Sequence, residues 1–246
     1  MKTIIIIPSR LSATRLPGKP LLKINGLSII SHVVKKAKDA KIGEVFVAAE
    51  DQEIIDDVHK NGGNAILTSK KHKTGTDRIH EALKKIDKPD VELIINLQGD
   101  EPLIDIDDIK NLYDQMVKTK SDLGTLASNI SDEKLYQNEN VVKVITKESF
   151  ENSDFTEAVE FMRLYKDKPV SKKIYHHLGI YCYRLEILNN FVSYAQSKNE
   201  IKNRLEQCRA LDNDIKIKVA YAKSTSIGVD TEEDFVAIKK IMEYKS

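Results

Sequence analysis

Residues Lys2 to Pro20 read KTIIIIPSRLSATRLPGKP. The apolar run from Ile4 to Ile7, closed by Pro8, predicts a strand buried on both faces, as in parallel sheets. The loop that follows carries Ser9, Arg10, Ser12, Thr14, Arg15, Gly18 and Lys19 ahead of Pro20. Its three cations and three hydroxyls form a concentrated donor set for a polyanion. Arg offers a planar fork to phosphate oxygens and Lys a compact charge. Gly18 removes a side chain where backbone can approach a ligand. Ligands of open α/β sheets sit outside the carboxyl ends of the strands, where this loop begins. The usual phosphate-loop pattern GxxxxGK[ST] is absent.

Further along the chain, strands and helices alternate. Ile30, Val33, Val34 and Ala37 recur at helical spacing, with Ser28 near the start. Glu44 to Ala49 predicts a second strand. Glu50-Asp51 opens a helix with the stripe Ile54, Ile55 and Val58, ended by Gly62-Gly63. Ala65 to Thr68 predicts a third strand. A loop, His72 to Arg78, precedes a helix striped by Ile79, Ala82, Leu83 and Ile86, with Thr74 or Thr76 as its cap. Val91 to Leu97 predicts a further buried strand, and Ile106, Ile109, Leu112, Tyr113 and Met116 a helix. This order argues for right-handed βαβ units in a mainly parallel α/β sheet.

Two acidic turns stand out. Val91 to Leu97 runs into Gln98-Gly99-Asp100-Glu101-Pro102, which puts carboxylates at a strand's carboxyl end. Mg²⁺ is usually held by one or two carboxylates plus substrate phosphates. Near the far end, Gly228-Val229-Asp230-Thr231 precedes Glu232, Glu233 and Asp234. Thr231 and the acidic triplet suit a helix start. Asp230 is not needed by that cap and is the candidate second carboxylate for Mg²⁺.

The regular pattern breaks at about Leu123. Leu123 to Asn129, Val141 to Thr146, Tyr175 to Tyr183 and Ile215 to Tyr221 predict strands, and Ser149 to Arg163 an irregular or partly helical stretch. Helices are expected over Leu185 to Val192 and about Glu200 to Leu211. The reading is one domain over 1–246, with about 123–211 an inserted lobe that covers the substrate and pairs a second copy of the chain. His176 and His177 are adjacent on a strand and point to opposite faces, which disfavours a metal pair.

The 246 residues are 41% hydrophobic and 31% charged, with net charge +1, so no global field draws the chain to nucleic acid or a membrane. Cys182 and Cys208 form neither a disulfide framework nor a zinc pattern. With no apolar run of membrane-spanning length, the expectation is a cytoplasmic protein.

RLPGKP, TGTDR, QGDEP, HLGIY, LEQ-x-R and GVDTEED occur in the order and approximate spacing of the CMP-Kdo synthetases, the cytidylyltransferases that activate 3-deoxy-manno-octulosonate (Kdo). The chain resembles that family from about residue 3 to 240. The resemblance implies a Rossmann-like nucleotidyltransferase fold with a smaller mixed-sheet lobe, CTP and an acidic sugar as substrates, and a homodimer serving lipopolysaccharide synthesis. It implies that Arg10, Arg15 and Lys19 hold the triphosphate, that Thr76, Asp77 and Arg78 contact the nucleotide, and that Gln98 sits near cytidine and the metal. Asp100 and Asp230 would hold Mg²⁺, while Arg163, His177, Tyr181, Glu206 and Gln207 would line the acid-sugar pocket. The chain departs from the family where SR-x-x-IP becomes FMRLYKDKP, with Met162 in place of Ser, and where a Glu is replaced near Asn203. Both departures fall in the sugar lobe. The alternatives are a transferase for another acidic sugar or a sugar phosphate, and a non-catalytic nucleotide-binding protein.

Overall fold

The computed structural model describes residues 1–12, 15–165, 173–225 and 228–244. Thr14 of the cationic loop and residues 166–169 of the stretch that departs from the family pattern lie outside them. The chain divides into two compact units, Met1–Asp107 with Ser226–Ser246, and Asp108–Thr225.

The first unit contains β1 (Thr3–Ser9), a two-residue hairpin of β2 (Lys23–Ile24) and β3 (Leu27–Ser28), α1 (Ile29–Asp39), β4 (Glu44–Ala49), α2 (Gln52–Lys60), β5 (Asn64–Leu67), α3 (Gly75–Ile86) and β6 (Leu93–Asn96). Strands β5, β4, β1 and β6 lie side by side in that order, every pairing parallel. Ile4 to Ile7 are fully or almost fully buried, as a strand between two parallel neighbours requires. Ser28 caps α1, its hydroxyl accepting from the Ser31 amide at 3.2 Å. Thr74, not Thr76, caps α3 by accepting from the Asp77 amide at 3.2 Å. Thr76, Asp77 and Arg78 therefore occupy the first turn of α3 instead of the expected loop. One hydroxyl at the cap position satisfies an orphan amide, and the helix starts one residue after it.

The second unit contains most of α4 (Ile106–Thr119), then β7 (Leu123–Ser128), β8 (Lys143–Thr146), β9 (Phe155–Met162), β10 (Ile174–Arg184), α5 (Leu185–Ser193), α6 (Lys198–Asn203), α7 (Gln207–Asp212) and β11 (Ile217–Tyr221). Its strands run β10-β7-β11-β9-β8, and β8 pairs back to β10, so the sheet closes on itself. Among the described residues there, only β7 and β11 pair in parallel; the other pairings are antiparallel. The stretch expected to be irregular, Ser149 to Arg163, contains β9. Its buried positions, Phe155, Thr156, Ala158 and Phe161, do not alternate, because a register shift interrupts its pairing with β8. The single helix expected over Glu200 to Leu211 is two, broken where Arg204 takes φ 54° in the left-handed region.

The chain returns to the first unit with α8 (Glu232–Tyr244). Thr231 Oγ1 accepts from the Asp234 amide at 3.2 Å, and the Asp234 carboxylate accepts from the amides of Asp230 at 3.1 Å and Thr231 at 2.9 Å. Val229 and Ile238 pack with Leu16, Ile24 and Ile29 in one buried cluster. Among the described residues, no helix is long and apolar enough to cross a membrane.

Candidate active site

The first unit concentrates its chemistry at the carboxyl ends of β1 and β6. These strands are parallel and in register from Thr3↔Leu93 to Ile6↔Asn96, so the cationic loop and the acidic turn leave the same edge. Gly99 lets them approach, since a Cβ there would sit 2.9 Å from the Pro8 carbonyl oxygen. The amide of Val229 donates to the carbonyl of Asp100 at 2.8 Å, and burial of Val229 anchors that crossing. Asp230 is the next residue and is thereby brought beside Asp100.

Lys19 fills the space between the two aspartates. Gly18 takes φ 71°, a left-handed conformation open to glycine, and turns the chain into the short 3₁₀ turn Lys19–Leu21. The Lys19 ammonium donates to Asp100 Oδ2 at 2.5 Å, to Asp230 Oδ1 at 3.1 Å and to the Val229 carbonyl at 2.9 Å. Burial alone would lower the pKa of this lysine. The two carboxylates outweigh burial and hold it above the ordinary lysine value, so the ammonium stays charged. Arg15 reaches the other oxygen of Asp230 at 2.9 Å, but both side chains are about half exposed and the pair is correspondingly weak. Arg10 is exposed and makes no hydrogen bond or ion pair among the described residues.

The start of the cationic loop is tied down from β4 and α2. Asp51 stands at the N-cap of α2, yet its side chain makes no cap hydrogen bond. Its carboxylate instead accepts from the Leu11 amide at 2.7 Å. A cap is typically worth ~1 kcal/mol, so a carboxylate diverted 40 residues away marks where this loop is held. Neighbouring Glu50 pairs with buried Arg78, which also donates to Thr68 Oγ1 at 2.7 Å. The guanidinium of Arg78 is thus committed to the protein. Thr76 is buried, Asp77 is half-buried in the same turn, and Gln98 is half-buried just beyond β6.

In the second unit, His177 and Tyr181 lie along β10 with ring centroids 5.6 Å apart. His177 is buried, and Nε2 shares a hydrogen bond with Thr125 Oγ1 at 2.9 Å. Burial first, then His176, pushes its pKa down to about 3, so the imidazole is neutral. Burial, with Tyr183, Glu206 and Cys208 adding to it, drives the Tyr181 phenol well above its usual pKa, which keeps it a hydrogen-bond donor. Glu206 heads α7 and Gln207 is buried in its first turn. Arg163 follows β9 and donates to the carbonyls of Asn203, Glu139 and Arg204, each at 3.0 Å.

The structure thus brings Arg15, Lys19, Asp100 and Asp230 into one cluster, and it sets Arg78 apart in a buried pair with Glu50. Sequence reading missed Asp51, Glu50 and the Val229 carbonyl. Asp51 was legible only as a helix opener, and a carbonyl carries no side-chain signal.

The family profile described as Cytidylyltransferase matches residues 4–217. The 3-deoxy-manno-octulosonate cytidylyltransferase of Thermodesulfovibrio yellowstonii is 43% identical, covering 98% of each chain. That of Rhodopseudomonas palustris is 41% identical, again over 98% of each. A solved CMP:2-keto-3-deoxy-manno-octonic acid synthetase complexed with CTP superposes with TM-score 0.90 at 33% identity over 100% of both chains. A UDP-glucose pyrophosphorylase, at TM-score 0.73 and 14% identity, shares the fold. The sequence motifs, the paired aspartates on their lysine and full-length identity to these relatives agree: the chain belongs to the 3-deoxy-manno-octulosonate cytidylyltransferase family.

Proposed function

We propose that this protein transfers cytidylate from CTP to Kdo, or a close 3-deoxy-2-keto sugar acid, giving the CMP-sugar and pyrophosphate for lipopolysaccharide synthesis. The observation that carries the reading is the Lys19 ammonium held between Asp100 and Asp230, on a loop leaving the carboxyl end of β1. The sugar's anomeric hydroxyl oxygen attacks the α-phosphorus, and its proton passes to solvent. The bond from the α-phosphorus to the bridging oxygen breaks, and pyrophosphate departs with the electron pair. Such transfers depend on positioning and charge stabilisation more than on covalent help from the protein. Lys19, Arg10 and Arg15 bind and neutralise the triphosphate, most strongly as the diphosphate leaves. Asp51 and Glu50 hold the base of that loop, and Arg78 fixes Glu50. Thr76, Asp77 and Gln98 are read as the nucleoside side of the site. Arg163, with neutral His177 and Tyr181 and the start of α7 at Glu206 and Gln207, is read as the acid-sugar side.

Two oxygen donors from separate turns already gather around one positive charge, which is a fitting partial shell for Mg²⁺. Asp100 and Asp230 would hold the ion. Mg²⁺ supplies charge neutralisation and polarisation of the phosphate oxygens. Asp230→Asn should raise the Mg²⁺ concentration for half-maximal pyrophosphate release by about ten-fold or more, and a titration curve like the parent's removes Asp230 from the metal site.

The reading of the first unit as Rossmann-like rests on its four parallel strands joined through α1, α2 and α3. The sugar and dimer lobe, about 123–211, falls within the second unit, whose exposed large apolar side chains include Val159, Leu164 and Ile201. A homodimer formed there and a cytoplasmic location complete the reading. Buried, unbridged Cys182 and Cys208 are in keeping with a reducing compartment. Met162 and Asn203 favour a second reading in which a related sugar acid is the acceptor. Pyrophosphate release from CTP, UTP, GTP and ATP against a panel of sugar acids and sugar phosphates tests both. CTP with Kdo should give the highest kcat/KM, and CTP binding with no release from any acceptor would overturn the enzyme reading.

A further inference from the structure

Lys143 begins β8 and is 0% exposed. Its ammonium donates to the carbonyls of Asn138 at 2.9 Å, Val141 at 2.7 Å and Arg163. All three of an ammonium's donors are thereby used. Among the described residues no carboxylate pairs with it. An ammonium removed from water without a counter-charge is costly, and carbonyl dipoles compensate in part. A methionine would fill the same volume without that cost, so packing does not account for a lysine here.

Arg163 provides the second half of the arrangement. Lys143 pairs with Met162 across β8 and β9, so the ammonium binds the carbonyl of the residue that follows the strand. The guanidinium of Arg163 then takes the carbonyls of Glu139, Asn203 and Arg204. Two cations therefore staple the 138–141 turn, the end of β9 and the left-handed residue that introduces Glu206 and Gln207. A guanidinium has five N–H donors. Three are spent on these carbonyls, which leaves one on each of Nη1 and Nη2 of a partly exposed side chain. Two N–H groups not spent on those carbonyls, beside a buried positive charge, suit a carboxylate.

We propose that Lys143 is a positioning residue for the acid sugar: its ammonium fixes the backbone of Arg163 and the 138–141 turn, so that the guanidinium presents its remaining donors to the sugar's carboxylate. This rests on the reading of Arg163 given above. The charge of Lys143 is itself titratable. Burial, and secondarily Arg163, lower its pKa to about 8. His176 on β10, the other titratable group facing it, is pushed below its usual value by burial and then by Lys143, and is neutral over the same range. Below about pH 8 the ammonium is charged and holds all three carbonyls, and above it the proton is lost and one donor with it.

The test is steady-state pyrophosphate release at saturating CTP with varied Kdo, between about pH 7 and pH 9, for the parent, Lys143→Met and Arg163→Ala. In the parent, KM for the acid should rise as pH passes about 8 while KM for CTP does not follow. Lys143→Met should raise KM for the acid about ten-fold at pH 7, the effect of one charge-assisted hydrogen bond, and abolish the pH limb. A purely structural role would shift both KM values and kcat together, and that outcome overturns the inference. If Arg163→Ala raises KM for the acid and Lys143→Met does not, the inference fails while the reading of Arg163 stands. If Arg163→Ala leaves KM for the acid unchanged, both fall. Should Lys143→Met not fold, the parent decides alone: a KM for the acid that is flat across pH 8 overturns the inference.

Discussion

Lys19→Ala should lower kcat by about 10²–10³-fold, the cost of losing one preorganised positive charge where negative charge develops. Two separate losses combine. The leaving diphosphate would lose a cation whose side chain is only 14% exposed and so little screened. Asp100 and Asp230 also lose the charge that lets their carboxylates converge. The second loss gives the result a signature. With the ammonium gone, the aspartates are open to a divalent cation, so half-saturation by Mg²⁺ should fall in Lys19→Ala, whereas Asp230→Asn raises it. A cation acting only on the substrate would leave that titration unmoved by its removal. Single-turnover pyrophosphate release with an Mg²⁺ titration reads both effects, and a kcat within a few-fold of the parent takes Lys19 out of the reaction.

The parts of this site visible in the sequence were those written in charge and in periodicity. Ile4 to Ile7 and Glu44 to Ala49 announced their strands because buried parallel strands are runs of β-branched and small apolar residues. Lys19, Asp100 and Asp230 were legible as residues, but their convergence on one point was not. It depends on the Val229 amide meeting the Asp100 carbonyl, a backbone event with no side-chain trace. Asp51 looked like a helix cap because it occupies the cap position, and only the fold reveals that its carboxylate serves Leu11. Phe155–Met162 escaped notice because a strand with a register shift loses the two-residue alternation. Arg204 hid the break between α6 and α7, since arginine is not a stop signal and only its left-handed backbone ends the helix.

That break prepares the largest stability effect expected. Arg209 on α7 donates through Nε to Glu200 Oε2 at 2.8 Å and through Nη2 to Oε1 at 2.6 Å, with both side chains 3% exposed. Phe191 covers the guanidinium at 4.6 Å. The same carboxylate accepts from the Ser197 amide at 3.2 Å in a capping box and from Gln196 at 3.1 Å. Arg209→Ala leaves this carboxylate buried without its counter-charge, which costs about 3–5 kcal/mol, or roughly 10 °C in Tm for a chain of this size. Burial alone would raise the pKa of Glu200, but its bonds to Arg209 and the neighbouring donors outweigh that and hold it below the ordinary value of 4.5. In the parent, the pair's contribution is therefore complete above the unfolded-state pKa and is lost as pH falls through the lower folded-state value. Without Arg209, burial dominates and the folded-state pKa rises above the unfolded one. The deficit should then shrink on acidification, and Arg209→Ala should lose less Tm at about pH 5 than at pH 7. Adding Glu200→Gln removes the stranded charge, so the double variant recovers part of the loss instead of compounding it. Thermal unfolding at the two pH values decides the matter: equal deficits at both, or simple addition in the double variant, would show that Arg209 acts through its packing on Phe191 and not through Glu200.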